Sequence, residues 1–360
     1  MRILVDIGHP AHVHLFRNFA IIMMNRQHQI LFTCREKEHV VKLLEHYDLP
    51  FVILGKIPES IQGKVSSILK FGYGIYKVAY RFKPDLFLSH GSHYAAHVAF
   101  VTGKPHIAFE DTFNFEQIWL YKPFTKAILT GDYEHPLKSS KVVRYSGCHE
   151  LAYLHPNRYK PDISVLDEMG ISVNEKYVIL RFSSWKASHD YGHKGMNFNN
   201  KLEAVKQFSQ YAKVFISSES ELPPILQTYK INIAPFRIHD ALAYASLILA
   251  DSFTMPSEST VLGTPAVIIH NNRSLCLEEQ SEKYRLCYIF SESENDQQEA
   301  IKKGLELLKK ENIKTDWNKR RNKMLKDKID VTSMLIWFIE NWPESFYIMQ
   351  ENPDYQERFR

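Results

Sequence analysis

Short hydrophobic runs alternate with polar loops and with longer segments in which apolar residues recur at helical spacing. The apolar runs at residues 2–7, 29–33 and 51–55 are separated by helical segments, which predicts strand, helix, strand, helix, strand. The same alternation returns at residues 85–89 and 177–182. Strands that alternate regularly with helices are typical of parallel sheets. The pattern therefore predicts an α/β fold built from doubly wound parallel sheets.

A second unit of this kind lies near residue 250. Apolar runs at residues 247–250 and 266–269 bracket a polar turn and a short helical segment, which Gly263 and Pro265 close. This is the pattern of a strand, a helix and a parallel strand, with the loop at the carboxyl end of the first strand. Residues 231–238 are also predicted to form a strand.

The length of 360 residues favours two domains of similar size. A polar, proline-containing stretch after residue 155 is typical of a linker. We therefore expect an N-terminal domain at 1–155, a C-terminal domain at 156–342 and a tail at 343–360. With 44% hydrophobic and 24% charged residues, the chain has the composition of a globular protein.

The net charge and the spacing of the cysteines limit the classes of function that the sequence favours. A net charge of +4 without a recognisable motif does not favour nucleic-acid binding. The four cysteines have no metal-site spacing, which indicates a reducing compartment and argues against disulfides or structural zinc. The first strand begins at once, and no long uninterrupted apolar run follows. We expect a cytoplasmic protein.

Histidines follow the first strand. His9, His12 and His14 lie in the loop and helix start where an open parallel sheet binds ligands. Three interpretations remain open: a metal site, helix capping and packing, or substrate contact with acid–base chemistry. No Asp, Glu or Cys accompanies them at a familiar ligand spacing, so we predict no metal. His12 is a candidate general base.

Two further strands end in polar residues. His90, Ser92 and His93 follow the strand at 85–89, and Glu110 with Asp111 follow the next strand. Adjacent residues of an extended chain point to opposite faces. One carboxylate is therefore expected to act as a base while the other caps or orients, although both could simply start a helix.

The loop at residue 250 has the composition of a phosphate site. It carries hydroxyls and carboxylates where a helix N-terminus presents unpaired N–H groups, at Asp251, Ser252, Thr254, Ser257 and Glu258. Helix capping alone would explain the same residues. Arg181, Ser183 and Lys186 follow the strand at 177–182, where the two cations could neutralise a diphosphate.

Residues 56–83 differ in character. Lysines such as Lys70 and Lys77 are interleaved with Tyr73 and Tyr76. A basic helix with interfacial aromatic side chains could contact an anionic membrane surface or a lipid-linked acceptor. The alternative is an amphipathic helix that packs its aromatic side chains in the core.

The loop at residue 250 resembles the nucleotide-sugar loop of GT-B glycosyltransferases and non-hydrolysing UDP-N-acetylglucosamine 2-epimerases, D-S-G-G-x-x-x-E-A-x-x-x-G-x-P. The matching positions are Asp251, Ser252, Glu258, Gly263 and Pro265. Phe253 and Thr254 replace the two glycines that let the backbone approach a diphosphate. The mode of phosphate contact is therefore expected to differ, with the Thr254 hydroxyl as a substitute.

Over residues 1–340 the chain resembles an uncharacterised family of bacterial and archaeal proteins in the GT-B superfamily. The motifs are D-I-x-H-P-x-H-V-H-x-F from Asp6, K-P-D-x-x-x-S-H-G-S from Lys83, E-D-T from Glu110, and the loop above. The resemblance implies two Rossmann-like domains facing across a cleft, with nucleotide on the C-terminal domain and acceptor on the N-terminal one.

From the resemblance we expect a metal-independent glycosyltransferase for a cell-surface polysaccharide or glycolipid, active at the inner face of the membrane. A UDP-sugar would be the co-substrate, with no cofactor. His12 or the Glu110/Asp111 pair would be the base, and His9, His14, His90, Ser92 and His93 would line the acceptor cleft. One alternative is a nucleotide-sugar 2-epimerase, although the expected H-R-x-E-N loop is absent. A non-catalytic nucleotide-sugar binding or scaffold protein is the other.

Overall fold

A computed structural model describes residues 1–56, 61–183 and 195–360, with only the backbone described at residues 38 and 61–68. The chain divides into two compact units. The first combines Met1–Arg158 with Lys328–Arg360, and the second is Tyr159–Asp327. In sequence order, the second unit is inserted into the first.

The first unit contains a seven-stranded sheet in which every described pair of neighbouring strands is parallel. Its strands are β1 (Arg2–Ile7), β2 (Gln29–Cys34), β3 (Phe51–Ile53), β4 (Leu86–His90), β5 (His106–Phe109), β6 (Ala127–Gly131) and β7 (Val142–Tyr145). The order is β3-β2-β1-β4-β5-β6-β7, so the direction of winding reverses at β1 and β4. Ligands of open α/β sheets bind outside the strand ends at such a reversal.

Helices cover both faces of this sheet. They are α1 (Pro10–Asn25), α2 (Glu38–His46), α3 (Ile61–Phe82), α4 (His93–Val101), α5 (Phe115–Tyr121) and α6 (Leu151–Leu154). Right-handed crossovers place α3, α4 and α5 on one face, because these helices connect strands in the same direction across the sheet. Ile75 of α3 and Ala95 of α4 pack with Leu4 and Phe87 in one buried cluster.

The second unit is a five-stranded parallel sheet in the order β12-β11-β10-β8-β9. Its strands are β8 (Tyr177–Phe182), β9 (Lys213–Ser218), β10 (Leu247–Ala250), β11 (Ala266–Ile269) and β12 (Cys287–Phe290). Its helices are α7 (Val165–Glu168), α8 (Phe198–Phe208), α9 (Ile238–Tyr244), α10 (Thr254–Leu262), α11 (Leu275–Glu282), α12 (Glu294–Lys309) and α13 (Ile313–Asp327). The predicted α/β class is confirmed.

The strand predicted at residues 231–238 is wrong. These residues are all described, and they contain the 3-10 helix Pro235–Arg237 followed by the start of α9. Pro235 has no N–H group to offer a neighbouring strand, so the apolar pattern here does not produce a sheet.

The C-terminal helices α14 (Val331–Glu340) and α15 (Glu344–Glu351) belong to the first unit, whereas the sequence pattern placed residues up to 342 in the second. Contacts explain the difference. Thr332 of α14 donates to the carbonyl oxygen of Ala152, and Arg158 forms an ion pair with Asp330. The apolar side of α14 is thereby buried within the first unit.

Candidate functional site

Four strand ends of the first sheet bring imidazole and carboxylate groups together. His12 lies at the start of α1 after β1, His90 ends β4, Asp111 follows β5 and His149 follows β7. All four lie at the carboxyl edge, because the strands are parallel. Glycine next to these strand ends, such as Gly91 with a φ of +58°, allows the chain to turn sharply.

Asp111 bridges two histidines. Its Oδ1 accepts a hydrogen bond from Nε2 of His90 at 2.9 Å, and its Oδ2 accepts one from Nδ1 of His149 at 2.8 Å. Burial favours the protonated carboxyl, but His149 and His90 outweigh it and hold the pKa of Asp111 well below its usual value. Asp111 is therefore a carboxylate fixed between two imidazole rings.

The two stacked histidines next to it differ electrostatically. The rings of His12 and His90 lie 4.4 Å apart at an interplanar angle of 23°. Burial lowers the pKa of His90, but the Asp111 charge and hydrogen bond outweigh it and raise the pKa overall. Burial and the neighbouring His90 lower the pKa of His12 well below its usual value. The pair therefore combines a neutral imidazole with a more basic one.

The tautomer of His12 follows from one contact. The backbone N–H of Gly8 donates to Nδ1 of His12 at 3.3 Å. The proton of the neutral ring is therefore on Nε2, which makes this edge of His12 a hydrogen-bond donor. Acting as a base through Nε2 would require His12 to give up the Gly8 contact, so the arrangement favours His90 for that role.

The Glu110 carboxylate accepts hydrogen bonds from the loop that follows it. It is buried, its Oε1 accepts from the backbone N–H groups of Thr112 and Phe113 and from the Thr112 hydroxyl, and its Oε2 accepts from the Tyr121 hydroxyl at 2.6 Å. These bonds hold the loop that positions Asp111. The adjacent carboxylates thus have different surroundings, as expected for an extended pair.

Ser92 and His93 belong to a neighbouring network. The Ser92 hydroxyl donates to Asp6, which also accepts from Thr33 and forms a buried ion pair with Arg35. The backbone N–H of Ala95 donates to the same Ser92 hydroxyl, so Ser92 caps α4. His93 packs on Tyr94 with ring centroids 3.9 Å apart, and burial lowers the pKa of His93 to about 4.

His9 and His14 also have separate surroundings. His9 caps α1 by accepting from the backbone N–H of Ala11, and its ring lies 5.9 Å from that of His12. His14 is buried and stacks on Tyr153 at 5.5 Å. The structure therefore brings His9, His12, His90 and Asp111 together, while His14 packs on the inner side of α1.

Metal binding can be assessed from the ligand atoms. Among the described residues, one ligand atom each of His90, Asp111 and His149 lies within 4.8 Å of the others. Two imidazoles and a carboxylate suit a transition metal. In the present arrangement each imidazole is hydrogen-bonded to one oxygen of the carboxylate, which also suits acid–base chemistry.

In the second unit, Asp251 holds two loops together. It is buried and accepts from the backbone N–H groups of Ser183 at 2.7 Å and Met196 at 3.3 Å. Ser183 therefore contributes its backbone rather than its hydroxyl to this contact. Arg181 donates to the Ser217 hydroxyl at 3.1 Å and forms an ion pair with Glu219. Lys186 lies outside the described residues.

The start of α10 has a mixed character. The hydroxyl of Ser252 is buried and has no hydrogen-bond partner among the described residues, and Thr254 is exposed at the first helical position. Phe253, in place of a glycine, stacks on His270 with centroids 4.0 Å apart. Ser257 is buried, and its hydroxyl lies 3.7 Å from the sulfur of Cys276.

Glu258 lies one turn into α10, where its carboxylate is fixed by a histidine. Nε2 of His239 donates to Oε1 of Glu258 at 3.0 Å, and both side chains are buried. The ring of Tyr159 contacts His239 edge-on at 6.1 Å. Glu258 is thus held in one orientation, which distinguishes it from an ordinary capping residue at a helix surface.

Sequence reasoning missed His149 and Asp6 as site residues. His149 had a signal, because a glycine and then a histidine follow β7, as they follow β1, although at a different spacing. Asp6 had no comparable signal, because it lies within a predicted strand and its partner Arg35 is distant in sequence.

Comparisons with known proteins agree with this architecture. A search of curated protein sequences finds no match to this chain. UDP-GlcNAc 2-epimerase from Neisseria meningitidis, solved with UDP-GlcNAc, is similar at 14% identity and a TM-score of 0.61, over 95% of this chain and 100% of that chain. MnaA of S. aureus, solved with UDP, has 13% identity and a TM-score of 0.69 over 96% and 97% of the two chains.

A transferase is similar to the same extent. The glycosyltransferase SsfS6 from Streptomyces sp. SF2575 shares 13% identity at a TM-score of 0.60, over 95% of this chain and 100% of that chain. At these identities the likeness shows the fold alone, which is the GT-B fold. Within the described part of the chain, no helix has the length and apolar character needed to cross a bilayer.

One family model spans most of the chain. It matches residues 1–336, which include the histidine loops, Glu110 and Asp111 in the first unit and α10 in the second. The chain belongs to the family described as "Protein of unknown function (DUF354)".

Proposed function

We propose that this protein is a glycosyltransferase that moves a sugar from a nucleotide-sugar donor to a hydroxyl of a cell-surface polysaccharide or glycolipid acceptor. The observation that carries the proposal is the Asp111 carboxylate held between His90 and His149 at the carboxyl edge of the first sheet. A UDP-sugar is the proposed donor, because two structurally similar proteins were solved with UDP-GlcNAc and with UDP.

The proposal assigns the general base to His90. Nε2 of His90 donates to Asp111, so the neutral ring carries its lone pair on Nδ1. The acceptor hydroxyl transfers its proton to Nδ1, and its oxygen bonds to the anomeric carbon of the donor. The bond from that carbon to the diphosphate breaks, and the nucleoside diphosphate leaves. Asp111 stabilises the imidazolium that forms.

The proposal places the leaving nucleoside diphosphate at the start of α10. Backbone N–H groups of the helix N-terminus, the Ser252 and Thr254 hydroxyls and Arg181 would stabilise diphosphate charge without a metal ion. Glu258, oriented by His239, is assigned to hydroxyls of the donor. Lys186 stays a candidate for phosphate contact from the sequence.

Epimerisation at carbon 2 of a nucleotide sugar is the second candidate. It needs an acid and a base on either side of one carbon, and His12 and His90 have pKa values shifted in opposite directions. Several structurally similar proteins are UDP-GlcNAc 2-epimerases. The two reactions differ in the substrates that they require, because a transferase consumes an acceptor and an epimerase does not.

Thermal shift with UDP, GDP, CDP, TDP, CMP and their sugar conjugates, without divalent metal, tests the donor. A ligand at a hundred times its Kd adds about 2.7 kcal/mol of stability. We expect one nucleotide to raise the Tm, Glu258→Ala to abolish the shift, and Glu311→Ala, at an exposed position, to retain it. If no nucleotide raises the Tm, the proposal fails in favour of a scaffold role.

The stabilising sugar nucleotide then separates the two reactions. Chromatography of the products is expected to show no change without an acceptor, and release of nucleoside diphosphate when glycolipid or polysaccharide fractions are added. A new sugar-nucleotide isomer in the absence of any acceptor would instead establish epimerisation.

A further inference from the structure

The outer surface of α3, α4 and α5 is unusually apolar. Six large side chains on these helices are each between 60% and 80% exposed. They are Leu69, Tyr73, Tyr80, Phe100, Val101 and Trp119. Surface side chains of this kind are normal when scattered singly, but a contiguous group indicates a contact site. We refer to these six residues as the aromatic face.

A groove lies between α3 and α4 on this surface. It has a volume of about 230 Å³ and runs between Tyr73 and Tyr76 on one side and His97 and Val101 on the other. Gly72 lines it as well, and a Cβ atom at that position would meet nothing within 4 Å. The groove is therefore open at Gly72 and has almost wholly apolar walls.

Contacts between α4 and α5 make the surface continuous. Nε2 of His97, which lines the groove, hydrogen-bonds the carbonyl oxygen of Leu120 on α5 at 2.9 Å. Phe100 of α4 packs on Phe124, which follows α5, with ring centroids 5.2 Å apart. The groove is thus linked directly to α5, the helix that carries the exposed Trp119.

The charged side chains of the α3 segment have a single sign. The sequence from residue 60 to residue 84 contains lysines and arginines but no aspartate or glutamate. Lys77 lies over the ring of Tyr73 at 4.4 Å from its centroid. Lys70 and Lys77 form no ion pair with any residue that the structure describes. Such a surface complements an anionic partner, whereas a second copy would bring like charges together.

We propose that the aromatic face docks on the surface of an anionic phospholipid bilayer, with its aromatic side chains at the level of the headgroups. This extends the contact expected for residues 56–83 to α4 and α5. The suggestion that a lipid-linked acceptor is met at this surface rests on the proposed transferase function. The docking itself needs no substrate, and it follows from apolar contact combined with attraction of lysines to anionic lipid.

Co-sedimentation with vesicles tests the docking. We expect the full chain to bind vesicles of phosphatidylcholine with about 30% phosphatidylglycerol at low salt, and to bind pure phosphatidylcholine only weakly. Lys70→Gln/Lys77→Gln should weaken binding about fivefold for each lysine removed. Lys138→Gln/Lys230→Gln, at exposed positions elsewhere, is the matched control and should bind as the wild type does.

The apolar contribution is tested separately. Tyr73→Ser/Val101→Ser/Trp119→Ser is expected to bind at least tenfold more weakly at unchanged charge. Val173→Ser/Tyr347→Ser, at other exposed apolar positions, is expected to bind normally. Equal sedimentation of the triple variant and the wild type, or no dependence on phosphatidylglycerol, would overturn the proposal.

Sedimentation velocity without lipid examines the competing occupant. We expect the wild type and the triple variant to sediment alike. A wild-type dimer that the triple variant converts to monomer would identify the aromatic face as an interface between copies and overturn bilayer docking. Because vesicle binding is measured without any sugar nucleotide, its outcome is independent of the thermal-shift result.

Discussion

Oδ2 of Asp111 lies 2.8 Å from Nδ1 of His149, a residue that follows a different strand of the same sheet. The other carboxylate oxygen lies 2.9 Å from His90. One carboxylate therefore fixes two imidazole rings and determines which nitrogen of each carries the shared proton. An acid–base function of this cluster should depend on Asp111 more strongly than on any other single carboxylate of the first unit.

Asp111→Asn tests this dependence. The amide keeps the shape of the side chain, but its NH₂ group cannot accept a hydrogen bond from an imidazole, so one of the two rings loses its partner. We expect turnover to fall at least about 100-fold, which is the range of general acid–base catalysis. The Tm shift produced by the donor nucleotide should persist. A variant with unchanged turnover would exclude Asp111 from the chemistry.

Glu110→Gln should act mainly on stability. The carboxylate accepts hydrogen bonds from backbone N–H groups and from the Tyr121 hydroxyl while buried, and an amide leaves at least one of these donors without its partner. We expect the free energy of unfolding to fall by about 1–3 kcal/mol. Urea denaturation monitored by tryptophan fluorescence measures it. A larger proportional loss of turnover than for Asp111→Asn would reverse the assignment of the two carboxylates.

Turnover should rise with pH through the pKa of His90. The proposed base must be neutral to accept a proton, and Asp111 raises its pKa above the usual value of 6.5. The profile of kcat/KM is therefore expected to have its midpoint above 6.5 in the wild type. Asp111→Asn removes the charge and should move the midpoint down. A midpoint that is the same in both proteins would show that another group controls the rate.

The buried His106 side chain is expected to make the folded protein less stable in acid. It is buried between the Ser89 and Thr125 hydroxyls, and burial lowers its pKa from 6.5 to about 3. The unfolded chain binds this proton more readily, so stability should decrease as pH falls from 6.5 towards 3, by about 1.4 kcal/mol per pH unit. His90 acts with the opposite sign, because its pKa is raised and protonation favours the folded state.

The contribution of His106 can be isolated by comparison. Urea unfolding of the wild type and of His106→Gln at a series of pH values below about 6.5 gives the difference between their slopes. The variant should show the shallower decrease. Parallel slopes would mean that His106 does not titrate on unfolding.

The ion pair between Asp6 and Arg35 should be strongly coupled. Both side chains are buried, and Arg35 also packs over the ring of Tyr94 at 4.8 Å. Arg35→Met leaves an uncompensated buried carboxylate, and we expect a loss of about 3–5 kcal/mol. Asp6→Asn/Arg35→Met should recover part of that loss. Additive effects of the two single changes in urea denaturation would contradict the coupling.

Much of the fold follows from hydrophobic periodicity. The apolar runs that predict β1, β8, β10 and β11 have the same bounds as the observed strands, because each is buried on both sides and bounded by polar residues. The strand predicted at 231–238 is not present in that described segment, since periodicity alone does not detect the effect of Pro235 on pairing.

The site was less accessible to sequence reasoning. Strand ends identify His90 and Asp111, because topology alone brings the carboxyl ends of parallel strands to one edge. The roles of Glu110 and Asp111 depend on where Tyr121 and His149 lie, and neither position can be obtained from spacing. His14 and His93 were expected in the acceptor cleft, but the rotation of their helices sets their packing.

Because the chain returns to the first unit at Lys328, the two units differ in how they are assembled from the sequence. Tyr159–Asp327 is one continuous segment, whereas the first unit is assembled from both ends of the chain. During synthesis, residues 1–158 leave the ribosome long before α14, which covers the helix α1 that carries His12. The first unit can therefore be completed only after the second unit has been made.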